Sequence, residues 1–205
     1  MEKYNEIRYR LHFYSDWHCG SGLAAGADMD ALVIKDKNNL PYVPGKTIKG
    51  LVREAVADLL HLVAAGTIPE NKKCAFEKTF GYSNDDEQQL SGQGTIFFTN
   101  ATLSETEVEM IRKNRAQKYL FRYQSFTALQ EDGIADEHSL RKIETVIPCE
   151  LEGKIMNIDP GIMEELINGL KMIKRLGTNR NRGMGRCHFI INNEQKVRTD
   201  ENKTV

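Results

Sequence analysis

Apolar residues recur at helical spacing from about Thr47 to Ala65. Ile48, Leu51, Val52, Ala55, Val56, Leu59 and Leu60 share one face there, and predict a long amphipathic helix with that face buried. Ahead of it, Glu6 to Tyr14 alternates charged and apolar residues in its first half. It predicts an opening strand that leaves through the glycine-rich stretch Ser15-Asp16-Trp17-His18-Cys19-Gly20-Ser21-Gly22. Ala31 to Lys35 is a second short strand, followed by a turn at Asp36 to Asn39. Pro41-Tyr42-Val43-Pro44-Gly45 cannot be helical. Gly66 to Gln93 is polar and turn-rich, a long surface loop or a small helical insertion.

The second half continues with a strand over Gly94 to Leu103, through Ile96, Phe97 and Phe98. Ser104 then caps a short helix, because Glu107 three residues on completes a capping box. Tyr119 to Leu129 and Leu140 to Ile158 are strand-like and flank Gln130-Glu131-Asp132-Gly133, which suits a hairpin with an irregular tip. Asp159-Pro160 combines an N-cap with proline at the first helical position, and the helix it opens runs to about Leu176 and stops at Gly177. Gly185 to Asn192 supplies the last strand, and Glu194 to Val205 is a polar tail. Strands and helices alternating in this way predict an α+β domain, an antiparallel sheet backed by helices in the ferredoxin-like layout. One domain is expected over residues 1–193, with an insertion at about 66–93, a hairpin at about 119–151 and the tail at 194–205.

Composition narrows the class. Hydrophobic residues make up 40% and charged residues 28% of 205, as in a soluble globular protein. No apolar run approaches the roughly 18 residues of a membrane span, and the charged N-terminus has no signal-like apolar core, so a cytoplasmic protein with no membrane partner is expected. Cys19, Cys74, Cys149 and Cys187 form no Cys-x-x-Cys pair, which points to reduced thiols rather than a zinc cage or disulfide framework. The net charge of −1 is uninformative until its distribution is read. No acidic residue lies between Glu165 and Glu194, whereas Lys171, Lys174, Arg175, Arg180, Arg182 and Arg186 all do. One segregated basic segment in a near-neutral chain suggests a local polyanion site. For Lys171, Lys174 and Arg175, the preference of cations for a helix C-terminus explains the placement equally well.

Three segments carry candidate chemistry. In Gly177-Thr-Asn-Arg180-Asn-Arg182-Gly183-Met-Gly185-Arg186, the glycines permit sharp turns that expose amide N–H groups. Arg180 and Arg182 can fork onto phosphate oxygens, while Thr178, Asn179 and Asn181 add neutral donors. An ordinary helix-to-strand turn with exposed arginines would look similar. In Pro44-Gly45-Lys46-Thr47-Ile48-Lys49-Gly50-Leu51-Val52-Arg53, the Gly-Lys-Thr triplet is no Walker loop, because Leu40 stands where that motif needs glycine. It still places backbone amides, Lys46, Thr47 and Lys49 at a helix N-terminus, which favours anions. Asp28 and Asp30 lie one residue apart on extended chain and face the same way, so they could hold a hydrated Mg²⁺ or position a nucleophile, or simply form a turn. Of the histidines His18 stands out, ending a strand inside a glycine-rich turn.

In order along the chain, these pieces resemble the RAMP superfamily, the repeat-associated proteins of CRISPR systems. The resemblance rests on the first strand leading into His18-Cys-Gly20-Ser-Gly22, on Asp30 before Val33-Ile34-Lys35-Asp36, and on Pro44-Gly45 through Lys49-Gly50 to Arg53. It continues through Phe80-Gly81, Gly94 to Ala101, Asp132-Gly133-Ile-Ala135, Glu144-Thr-Val146 and Gly177 to Arg186. It is closest to the repeated backbone subunit of type III effector complexes. That resemblance implies an RRM-like palm, a protruding hairpin thumb at roughly 119–151, and copies of the chain polymerised along a guide RNA with other effector subunits. It implies RNA contacts from His18, Gly45, Lys46, Thr47, Lys49, Arg53, Asn179, Arg180, Arg182 and Arg186. In cleaving members an Asp before the second strand cuts bound target RNA with Mg²⁺ or another divalent cation; the matching catalytic and metal-binding residue is Asp30, with Asp28 beside it. Two other readings stay open: a non-catalytic RNA scaffold, and a guide-precursor processing endoribonuclease using His18 as general base.

Overall fold

The structure is a computed structural model, described here for residues 6–24, 29–64, 67–82, 92–127, 134 and 139–191. The expectations for Asp28, for the hairpin tip at 130–133 and for the tail at 194–205 lie outside those residues. In chain order the elements are β1 (Ile7–Phe13), α1 (Gly45–Ala64), α2 (Glu70–Phe80), β2 (Gly81–Tyr82), β3 (Gly92–Gln93), β4 (Phe97–Phe98), α3 (Glu105–Lys113), β5 (Phe121–Phe126), β6 (Arg141–Val146), β7 (Glu150–Met156), α4 (Met163–Met172) and β8 (Cys187–Ile191). Short 3-10 turns occupy Gln117–Leu120, Pro160–Ile162 and Arg180–Arg182.

The period-two pattern of β1 decides the layering. Ile7, Tyr9, Leu11 and Phe13 are buried, while Arg8, Arg10 and His12 take the other face. β1 lies inside a four-stranded sheet of order β4-β7-β1-β8, and each neighbouring pair is antiparallel. With the two insertions set aside, the chain runs β1-α1-β4, then β7-α4-β8. That is the ferredoxin-like βαββαβ path, with the first strand central. Helices α1 and α4 cover the buried face. Ile48, Val52, Val56 and Leu60 from α1 meet Leu166 and Leu170 from α4 and Leu11, Leu151 and Ile155 from the sheet. Each such side chain contributes roughly 1.5–3 kcal/mol by leaving water. Gly169 brings the helices close, since a Cβ there would stand 2.8 Å from the Val56 side chain.

The first insertion is partly helical: α2 ends in the β2–β3 pair. The second, between β4 and β7, holds α3 and the β5–β6 hairpin. Ser104 caps α3 with both bonds of a capping box, and Asp159 accepts the Gly161 N–H at 2.9 Å ahead of α4.

Several predicted elements need correction. The single strand expected over 140–158 is two strands in different sheets: β6 pairs with β5, β7 with β1 and β4. Pro148 lies between them and has no N–H for a ladder, so the chain turns from hairpin to palm there. The last helix stops at Met172 rather than Leu176. Residues 174–176 are extended instead, with Leu176 N–H on Gly185 O at 2.9 Å and Cys187 N–H on Lys174 O at 2.9 Å. This pairing gives the chain after the helix the backbone partners that a helix end leaves unmet. The short strand expected at 31–35 is extended but makes only separate bridges, to Ile143, Gly20 and Pro41. The strand expected at 94–103 keeps a ladder only at Phe97–Phe98, with bridges at Ala101 and Thr102. Among the described residues, no helix is long and apolar enough to cross a membrane.

Burial separates the thiols. Cys19 and Cys187 are buried, Cys149 is partly so, and Cys74 is exposed. Desolvation pushes Cys149 and Cys187 up to about 12. Native protein at pH 8 with excess iodoacetamide is therefore expected to alkylate at Cys74 alone, with the other three reacting only in denaturant. Peptide mass mapping reads this, and native labelling of Cys187 would contradict the packing.

Candidate nucleic-acid interface

Four separate segments meet on the short strip 16–20 that follows β1. Trp17 anchors it by stacking on Phe13, with ring centroids 4.6 Å apart and planes at 12°. On one side the strip joins the hairpin: Trp17 and Val146 exchange backbone bonds of 3.0 and 2.8 Å. The Asp16 carboxylate also accepts from Gln124 Nε2 at 2.9 Å and from Arg122 Nη1 at 3.3 Å. On another side, Cys19 O accepts the Ile34 N–H at 2.8 Å, and Gly20 bridges Val33. The Cys19 thiol, raised by burial and eased down by a bond to Thr47, also brings the strip to the first turn of α1.

His18 belongs to this joint and not to an open surface. It was expected to contact RNA, yet it is 3% exposed, and its Nδ1–H donates to the Glu144 carbonyl oxygen at 2.6 Å. A carbonyl only accepts, which fixes the proton on Nδ1. Nε2 lies against Gly20, where a Cβ would come within 3.1 Å. Glu144, on β6, is the other half of the joint. Its carboxylate, also buried, accepts the Val33 N–H at 3.1 Å and pairs with Lys35 Nζ at 2.7 Å, and its own N–H reaches Ala31 O at 3.0 Å. Lys35 in turn lies 4.1 Å from the centre of the Phe121 ring.

The 177–186 loop hangs from the same strip. Thr178 N–H donates to His18 O at 3.0 Å and Gly185 N–H to Asp16 O at 2.8 Å. Gly177 has φ +96°, and a Cβ there would overlap the His18 carbonyl oxygen, so glycine is required twice over. Asn179 adopts the left-handed conformation at φ 55° and starts the 3-10 turn carrying Arg180 and Arg182. Arg175 donates to the Arg180 carbonyl, which braces the turn. Arg180, Arg182 and Arg186 are exposed. None has an acidic partner among the described residues; Arg182 lies 5.8 Å from the centre of the Phe126 ring at the far end of β5. Elsewhere Arg10, Lys35, Lys72, Lys78 and Arg122 all have carboxylate partners.

The second expected anion segment divides. Gly45 is buried against β4, where a Cβ would overlap the Phe98 carbonyl oxygen, and its N–H donates to Asn100 Oδ1 at 2.9 Å. Its glycine is a packing requirement. Lys46 is exposed and lines an open groove with Tyr42, Phe97 and Asn100. Lys49 is half-buried, with Nζ 3.5 Å from Ile96 O; burial and then the charge of Arg53 hold its pKa below the usual lysine value. Arg53 lies 6.0 Å from the centre of the Phe76 ring on α2. Thr47 is thus tied to the joint through Cys19, whereas Lys49 reaches the Ile96 carbonyl just ahead of β4 and Arg53 reaches the insertion.

Asp30 packs against the start of β6 at Lys142, toward the tip end of the β5–β6 ladder. Its N–H donates to Lys142 O at 2.9 Å, and its Oδ2 accepts the Lys142 N–H at 2.7 Å. The side chain is exposed, and Oδ1 has no protein partner among the described residues. Mg²⁺ is held through one or two carboxylates together with water and phosphate oxygens, so Oδ1 fits a single position of such a shell. Among the described residues no three His, Cys, Asp or Glu side chains converge on a cation.

These features define a ferredoxin-like α+β domain with an arginine-bearing loop and an inserted hairpin locked to one strut. A profile of the RAMP superfamily matches residues 10–188, and the chain belongs to that superfamily. No curated protein sequence matches it. Among solved structures, it shares its fold with a chain of the type III-B Cmr-beta complex seen by cryo-EM bound to cognate target RNA. That match has 10% identity and a TM-score of 0.62, over 91% of this chain and 96% of that one. A chain of the apo Cmr-beta complex matches with 10% identity and a TM-score of 0.63, over 92% and 98%.

Sequence reasoning passed over Asp16, Lys142 and the carboxylate of Glu144. The signal for Glu144 was there: one acid within Ile143-Glu-Thr-Val-Ile147, where a buried charge needs a partner. Removing one member of a buried pair strands the other charge, at about 3 kcal/mol or more. Glu144→Ala is therefore expected to lower stability by about 3 kcal/mol in urea unfolding, and Glu144→Gln, which can keep an acceptor for Val33, by less. An unchanged midpoint in Glu144→Ala would remove this residue from the joint.

Proposed function

We propose that this chain is an RNA-binding backbone subunit of a type III CRISPR effector complex. It would assemble with copies of itself and with other effector subunits along a guide RNA in the cytoplasm, and cut bound target RNA at Asp30. The observation that carries the RNA-binding part is the 177–186 loop. Three exposed arginines, without carboxylate partners among the described residues, stand on a turn whose glycines are fixed by contact with the palm. Such a loop suits a phosphate backbone, gripped without regard to sequence. Superfamily membership and the shared fold with chains of Cmr-beta, one of them bound to cognate target RNA, agree with this reading.

The cutting part rests on Asp30, whose open Oδ1 would take one position on a divalent cation. A metal held there would stabilise charge on the phosphoryl oxygens. The protein's contribution is placement, through the two backbone bonds to Lys142. One observation favours the non-catalytic scaffold instead: Oδ2 is already committed, and the described residues offer no second ligand beside it. Processing with His18 as general base is disfavoured, because a buried ring facing Gly20 has no path to a substrate hydroxyl.

Arg180→Ala with Arg182→Ala should weaken binding of single-stranded RNA of any sequence. It should also flatten the dependence of log K on log salt by roughly 1.4, from two lost phosphate contacts. An unchanged slope in fluorescence anisotropy titrations would refute the phosphate grip. For cutting, Asp30→Asn keeps an oxygen for the Lys142 N–H but loses the charge. In the assembled complex with Mg²⁺ it is expected to slow target cleavage on the order of 100-fold or more. Cleavage at the wild-type rate takes Asp30 out of the reaction, and a wild type inert with Mg²⁺ and Mn²⁺ leaves the scaffold.

A further inference from the structure

The face of the sheet opposite the helices holds a cluster that the phosphate-gripping loop and Asp30 leave unused. Register places Glu150, His12 and His188 side by side across β7, β1 and β8. Tyr14 follows His12 by two residues, just beyond β1. The Tyr14 and His188 rings stack, with centroids 5.1 Å apart and planes at 15°, and His12 meets the Tyr14 ring edge-on at 4.8 Å. His12 is braced from behind: its Nδ1 lies 3.3 Å from Glu150 Oε2, and Glu150 is held by Arg10 at 2.9 Å. Tyr14 is 57% exposed, and neither it nor His188 belongs to the hydrophobic core. An aromatic stack outside the core, with one large ring open to solvent, is not there to bury area.

Its position relative to the loop indicates a use. The Tyr14 N–H donates to Arg186 O at 2.8 Å, and the Arg186 N–H donates to Ser15 Oγ at 3.0 Å. The backbones of Tyr14 and of the last arginine of the loop are therefore hydrogen-bonded neighbours, which puts a cation and a flat π surface on adjacent residues. Interleaved cations and aromatic rings are how single-stranded nucleic acid is held, with bases stacking on the rings while the backbone follows the charge.

We propose that Tyr14, backed by His188 and His12, is a stacking platform for one unpaired RNA base, whose adjoining phosphate lies at Arg186. The proposal rests on the RNA-binding reading above and adds to it a base-contacting site on the open sheet face. Stacking on a ring face uses the π surface that every base has, so the platform accepts any base and favours purines for their area.

The test uses single-stranded RNA oligomers carrying 2-aminopurine at successive positions, with wild type, Tyr14→Phe, Tyr14→Ala and the Arg180→Ala/Arg182→Ala double variant. Wild type and Tyr14→Phe should quench 2-aminopurine alike and bind alike. Tyr14→Ala should lose the quenching at one position and bind about tenfold more weakly. Its salt slope should match wild type, because no phosphate contact is lost. Three results overturn the platform. If Tyr14→Ala binds and quenches as wild type while the double arginine variant is weakened, the platform fails and the RNA-binding reading stands. If Tyr14→Phe is as weak as Tyr14→Ala, the phenol hydroxyl and not the ring carries the effect. If wild type binds none of the oligomers at low salt, both readings fall together.

Discussion

The arrangement of this domain depends on one joint: the buried contact between the strip after β1 and Glu144 on the hairpin. A chain leaving the end of a central strand has backbone donors and acceptors that must be met. Here they are met by four different segments at once. His18 is the pivot, since its ring bonds to the hairpin while its carbonyl holds Thr178 of the arginine loop. Glu144 then ties in the extended segment that carries Asp30, through Ala31, Val33 and Lys35. Palm, hairpin and loop are thus positioned by a single buried polar network. Such a network specifies geometry firmly when every member is satisfied, and fails badly when one is removed.

Charge is distributed to match. Arg8, Arg10, Lys72, Lys78 and Arg122 pair with carboxylates, and those pairs are local fastenings of modest worth at the surface. The exposed loop arginines have no such partner among the described residues, so their charge faces solvent. On the proposed function, a phosphate backbone would be attracted to this loop, on a chain whose net charge is −1. Lys49 and Arg53, expected among the RNA contacts, reach the Ile96 carbonyl just ahead of β4 and the Phe76 ring on α2. The arginine loop itself reaches the hairpin, where Arg182 lies against the Phe126 ring.

The sequence was informative wherever local pattern decides structure. The alternation in β1, the buried stripe of α1, the capping box at Ser104 and the Asp159-Pro160 start are all set by residues a few positions apart, and all are present. It was least informative where partners are far apart in the chain. Nothing local shows that residues 174–176 leave the helix to pair with 185–187, or that a proline at 148 hands the chain from one sheet to another. The same limit applies to the site. Glycines and arginines marked the 177–186 loop, but the burial of His18 depends on Glu144, 126 residues away. The Pro44-Gly45 turn was legible as a helix start, but that Gly45 must be small because β4 lies against it was not.

Asp30 follows from the same geometry. It is not carried by the palm sheet, since both of its backbone-directed bonds run to Lys142 on the hairpin. Ala31 and Val33 then bind it back to Glu144, and Glu144 to the palm through His18. A displacement of the hairpin relative to the palm must move Asp30 with the hairpin or break two short hydrogen bonds. The arginine loop is fixed to the palm side of the joint, by Asp16 and His18. On the proposed function, the strand is therefore held from one side of the joint and cut from the other. The spacing between grip and cut is set by the His18–Glu144 contact rather than by the side chains that touch RNA.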